Sequence, residues 1–172
     1  MRPARPHRPH GFTLLELIVV AAIIAVFAAV ALPRLIDTQR DARSAKARTI
    51  HGALRSAAAL ARSRCELDLA AAAASLPSAN CQALPPQVNM DGHAVDIVNR
   101  FPSASASGID VAAGLNPAAD GLATDGPGCP AGARCFDIAG GTAPHCRITY
   151  LPATLNGGVI VAPAISIDTG GC

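Results

Sequence analysis

Two sets of residues carry the chemistry this sequence offers: a lone carboxylate, Glu16, at the head of an apolar run, and six cysteines that all follow that run. Glu16 closes the stretch Gly11-Phe12-Thr13-Leu14-Leu15-Glu16, and Leu17 to Leu32 carry no charge at all. A carboxylate within a membrane-spanning helix costs about 3 kcal/mol or more, so it calls for a partner. Cys65, Cys81, Cys129, Cys135, Cys146 and Cys172 are even in number and lie on one side of the apolar run, which reads as a disulfide framework in an oxidising compartment. Loop closure and strand adjacency favour Cys65–Cys81, Cys129–Cys135 and Cys146–Cys172 among the fifteen pairings that six cysteines allow.

Other chemistries find less support. Cys129-x5-Cys135 and His145-Cys146 lack the usual zinc spacing, so no metal site is expected from them. Asp110, Asp120 and Asp125 are acids of a kind that binds calcium, but they are too scattered for a known calcium loop. Calcium is thus the one cofactor left open, and no other is expected. There is no G-x-S-x-G elbow, and Ser103, Ser105 and Ser107 have no histidine at a telling spacing. His51 and His93 are expected on solvated surfaces. The chain does not read as an enzyme.

The elements that must position these residues follow from periodicity. Residues 1–11 are basic and proline-rich and do not favour regular helix. Phe12 to Leu32 is 21 residues, about 30 Å as a helix, which matches a bilayer core. Its many alanines would permit close helix–helix approach in lipid, and Pro33 follows as a site for a kink. From Arg34 to about Ala74 the pattern stays helical, with Ile50, Leu54, Ala57/Ala58, Ala61 and Cys65 forming one apolar stripe and Pro77 as the stop. Val88-Asn89-Met90, Asp91-Gly92 and Ala94 to Val98 predict a tight hairpin. Ser107-Gly108-Ile109-Asp110 has the cap-and-acid spacing of a short helix through Ala113. Residues 114–133 predict a surface loop, and strands are expected at Arg134–Ile138, Cys146–Leu151 and Val159–Ile167. In the second of these, Cys146, Ile148 and Tyr150 alternate with Arg147 and Thr149 as a half-buried strand would. Pro163 argues for an edge position or a bulge in the third.

Large rings beyond the apolar run are only Phe101, Phe136 and Tyr150, so the core is thin, and disulfides are the natural compensation. The expected fold is α+β: a long N-terminal helix, membrane-spanning in its first half, packed on a small antiparallel β-sheet in a disulfide-stapled head. The boundaries are a leader at 1–11, a membrane or filament-core helix at 12–32, its amphipathic continuation at 33–75, and the head at 76–172.

Charge is segregated along the chain. Residues 1–11 carry three Arg, residues 34–64 carry a net of +6, and the chain from Cys65 onward a net of −6. The cations beyond Leu32 outnumber those of the leader, so the positive-inside rule alone does not fix orientation; the distal cysteines do. A basic helix can bind nucleic acid, but tethering to a membrane anchor argues for a solvated face or one that meets acidic heads of neighbours. A secretory signal cleaved after Ala29-Val30-Ala31, releasing a soluble disulfide protein, is the other reading of the first 31 residues; Glu16 within the apolar core counts against it.

Gly-Phe-Thr-Leu-Leu-Glu-Leu after a short basic leader resembles the type III signal of type IV pilins and type II secretion pseudopilins. The resemblance implies that a prepilin peptidase cuts between Gly11 and Phe12 and methylates the Phe12 amine, and that Glu16, fifth in the mature chain, pairs with such an amine on a neighbouring subunit during filament assembly. Such an α-amine is mostly cationic near neutral pH. Pro33 falls where many family members have a helix-kinking proline and is counted with Phe12 and Glu16 as an assembly residue. The segments Ala31–Ile36, Asp41–Arg43, Gly52–Ala58, Phe101–Ile109, Cys146–Tyr150 and Gly171-Cys172 are similar to mannose-sensitive-haemagglutinin-type pilins, and a Cys146–Cys172 bond would staple the C-terminal tail as in many pilins. The implied partners are other copies of the chain and other pilins, the prepilin peptidase, an inner-membrane platform protein and membrane lipid, with no nucleic acid. The implied location is the inner membrane, head outward, and then a periplasmic or extracellular filament. The implied role is a structural subunit of an adhesion pilus or, alternatively, of a secretion pseudopilus.

Overall fold

The computed structural model describes residues 12–172, the side chains of Pro33 and Ile36 excepted. One unit ends at Gln39 and the other is Arg40–Cys172. Helix α1, Leu14–Ala70, is the main helix. Its part up to Gln39 leaves its large apolar side chains exposed, from Leu14 and Leu15 through Val26, Phe27 and Leu32. It is long and apolar enough to cross a membrane.

Within Arg40–Cys172, α1 buries Ala47, Ile50, Leu54, Ala58, Ala61 and Cys65, the expected stripe at spacings of three and four. Nine strands follow in three antiparallel sheets. β1 (Gln87–Met90), β2 (His93–Val98) and β3 (Phe101–Pro102) form the first. β4 (Leu122–Thr124), β5 (Arg134–Ile138), β6 (Arg147–Leu151) and β9 (Ala164–Asp168) form the second, in that spatial order. β7 (Thr154–Asn156) and β8 (Val159–Val161) form a separate hairpin. Ala47, Ile50, Leu54 and Ala58 pack with Phe136, Ile148 and Tyr150 of the four-stranded sheet, while Ala61 and Cys65 pack with Val88, Val95 and Ile97 of the three-stranded one. The Tyr150 hydroxyl donates to the Pro102 carbonyl at 2.7 Å, tying the two sheets.

The departures from expectation have local causes. α1 ends at Ala70 rather than near Ala74, because Gln82 Nε2 donates to the carbonyls of Asp68 and Ala71 and holds the helix end against the returning chain; only a 3-10 turn forms at Ala73–Ser75. The 114–133 segment contains strand β4, which pairs with β5. The third predicted strand splits into β8 and β9 around Ala162-Pro163, where proline's missing N–H interrupts pairing. The β1–β2 turn is the expected Asp91-Gly92, at φ of 49° and 82°, the left-handed pair that a two-residue hairpin needs. The short helical turn begins at Ala106, and Asp110 does not cap it: its carboxylate binds Arg134 instead.

Candidate functional site

The helix start is built by Thr13, whose Oγ1 accepts the Glu16 amide N–H at 3.2 Å, while its carbonyl accepts from Leu17. Thr13 is therefore an N-cap and Glu16 the third helical residue, where a carboxylate meets the positive end of the helix dipole. The Thr-x-x-Glu signature of a capping box is present in the sequence, and it was the signal for Thr13 that the reading of Glu16 alone passed over. The Glu16 carboxylate has no ion-pair partner among the described residues. Phe12, four residues before it, is 83% exposed. Residues 1–11, including Gly11 of the expected cleavage site, lie outside the described residues; Pro33 lies within α1.

The described end of the apolar helix thus presents an exposed Phe12 and a carboxylate with no ion-pair partner among the described residues. In surroundings of low dielectric such a carboxylate is costly alone and favours a cationic partner.

The head is held by disulfides Cys65–Cys81, Cys129–Cys135 and Cys146–Cys172, with Cα–Cα distances of 5.1, 5.9 and 4.8 Å. Helix cations fix its loops. Arg43 Nε donates to the Cys172 carbonyl, Arg40 to the Gly170 carbonyl at 3.4 Å, and Lys46 Nζ to the Asp120 carbonyl. Asp68, almost fully buried, pairs with Arg64 at 3.2 Å and accepts the Cys81 amide at 3.1 Å.

The acids weighed for calcium are engaged otherwise. Arg134 bridges Asp110 and Asp125, and hydrogen bonding to Asp110 is the largest cause of its raised pKa. Asp120 accepts the Asn116 amide at 2.8 Å. Among the described residues no three His, Cys, Asp or Glu side chains gather as a metal site would require. Ser103, Ser105 and Ser107 form a hydroxyl chain that ends on Asp96, a brace without a histidine. His93 is exposed as expected, whereas His51 is half-buried and its ring nitrogen lies 3.3 Å from the Ile165 carbonyl, because β9 runs past that side of α1.

Arg147 also departs from the alternating pattern. It is buried, and it makes two parallel bonds to its cross-strand neighbour Asp137, at 2.6 and 2.8 Å, and a third to the Pro127 carbonyl at 2.9 Å. The 125–129 segment, drawn in by Cys129–Cys135, covers the outer sheet face. Gly126 permits this, since a Cβ there would stand 2.6 Å from the Asp137 carboxylate.

No curated protein and no solved structure matches the chain. A family model for the prokaryotic N-terminal methylation motif matches residues 6–32. The N-terminal stretch that presents Phe12 and Glu16 therefore carries the prepilin-type methylation motif found in type IV pilin-like proteins and pseudopilins.

Proposed function

We propose that this chain is a structural prepilin: it is cut between Gly11 and Phe12, methylated on the new Phe12 amine, and polymerised through its apolar helix into a type IV pilus-like filament for surface attachment. The observation that carries the reading is one helix end that combines the methylation motif with an exposed Phe12, a Glu16 with no ion-pair partner among the described residues, and exposed large apolar side chains from Leu14 to Leu32. Lipid covers those side chains in the precursor, with the head on the oxidising side; neighbouring helices cover them in the filament. Glu16 then receives the Phe12 amine of the adjoining subunit, and register follows from that pairing. The resemblance of the later segments to mannose-sensitive-haemagglutinin-type pilins favours an adhesion pilus. The same N-terminal chemistry serves a secretion pseudopilus, and the genes beside this one distinguish the two.

The test is the Glu16→Gln chain beside the wild type. The mature N-terminus, read by mass spectrometry, should be methylated Phe12 in both, with sheared filaments recovered only from the wild type. A mature chain beginning at Leu32, or normal filaments from Glu16→Gln, overturns the reading.

A further inference from the structure

Arg48, Arg55 and Arg62 recur every seven residues along α1, and all three are exposed. Seven residues fall about 20° short of two full turns, so the three lie nearly in line, about 10 Å apart. Arg62 stacks on Phe101 at 5.2 Å and reaches Glu66 at 3.8 Å. Arg48 and Arg55 have no carboxylate partner among the described residues. Between Arg55 and Arg62 lies an open groove of about 640 Å³, walled on its far side by Phe101, Pro163 and Ile165.

The helix acids nearest this ladder are Asp41, seven residues before Arg48, and Glu66, which Arg62 shares with Arg100, and neither forms an ion pair with Arg48 or Arg55. Asp110 and Asp125 are taken by Arg134, Asp137 by Arg147 and Asp68 by Arg64. Two exposed carboxylates of the head have no guanidinium or ammonium partner among the described residues: Asp91 at the tip of the β1–β2 hairpin, and Asp168 at the end of edge strand β9, which meets His145 and the Gly170 amide. The segregation of +6 on residues 34–64 and −6 beyond is therefore only partly cancelled by ion pairs among the described residues.

We propose that the Arg48–Arg55–Arg62 ladder and its groove are an interface between copies of this chain, receiving Asp91 and Asp168 of a second copy. This rests on the filament reading. Charge complementarity selects the occupant: a head carrying unpaired carboxylates matches the ladder, and the apolar wall of Phe101, Pro163 and Ile165 suits a protein surface better than a phosphate backbone.

The experiment compares filament yield from full-length wild type, Arg48→Glu/Arg55→Glu, and that variant with Asp91→Lys/Asp168→Lys added. Protease resistance and intact disulfides serve as the fold check. Should the reversal fail that check, Arg48→Gln/Arg55→Gln replaces it, and for this pair normal yield overturns the proposal. Reversal of the two arginines should cut yield about tenfold or more, and the four-site variant should restore it. Normal yield from the reversal overturns the interface, as does failure of the four-site variant to recover. Loss of DNA binding with filaments intact assigns the ladder to nucleic acid and overturns it equally. Absence of filaments from the wild type itself is a failure of the filament reading, not of the ladder.

Discussion

The Asp137–Arg147 pair offers the sharpest test of how the head is held. Both groups are nearly inaccessible, at 7% and 4% exposure, and two parallel bonds of 2.6 and 2.8 Å join them. Asp137→Ala leaves a buried guanidinium with only the Pro127 carbonyl, and Arg147 Nη1 already lacks a partner. Breaking a buried pair this way costs about 3–5 kcal/mol. With a urea slope of about 2 kcal/mol/M, the midpoint should fall by about 2 M. Replacing both partners with apolar residues of similar volume, Asp137→Leu with Arg147→Met, removes the stranded charge and should return the stability to within about 1 kcal/mol of wild type or above it. The readout is clean, because Tyr150 is the single tyrosine, is fully buried, and has no tryptophan to compete with it in fluorescence. The measurement uses the full chain in detergent. A cost below about 1 kcal/mol for Asp137→Ala, the range of solvent-exposed pairs, would refute the burial argument.

Two further outcomes follow from the core. Leu54→Ala should cost about 2–5 kcal/mol by the same urea assay, since Leu54 is fully buried against the four-stranded sheet, whereas exposed Leu60→Ala should change stability by less than about 0.5 kcal/mol; equal effects would contradict the assigned helix face. Burial raises the Tyr150 hydroxyl above its ordinary value of 10.0, so its contribution is whole below that pH and is lost as pH climbs through the folded-state value; tyrosinate absorbance should appear only together with unfolding, and ionisation near pH 10 in a folded head refutes it.

The parts of this fold governed by local periodicity were legible from residue types alone. The stripe from Ile50 to Cys65 repeats every three to four residues, and the structure buries it. Asp91-Gly92 specifies a hairpin by its left-handed backbone preference, and it forms one. What escaped was decided by long-range partners. Arg147 occupies a position that alternation assigns to solvent, and only the covering 125–129 segment makes it a core residue. Asp110 has the spacing of a cap but finds Arg134, 24 residues away. The end of α1 is set by Gln82, not by the helix propensity of the alanines. At the candidate site the reverse held: the Gly11–Glu16 motif is local, so sequence displayed it fully, and the cap made by Thr13 was readable in the same six residues.

Where the stabilising interactions lie also bears on how the Glu16 experiment is read. All three disulfides, both buried apolar clusters and every ion pair among the described residues fall within Arg40–Cys172. Three crosslinks at about 2–4 kcal/mol each reinforce a head with only three large rings to fill its core, and none of them involves the apolar helix before Gln39. Glu16→Gln removes a charge from a segment that contributes to none of these interactions, so a folded, disulfide-bonded head is the expected background for that variant. A defect in filament yield on that background reports on pairing between subunits, and it cannot be attributed to loss of the fold.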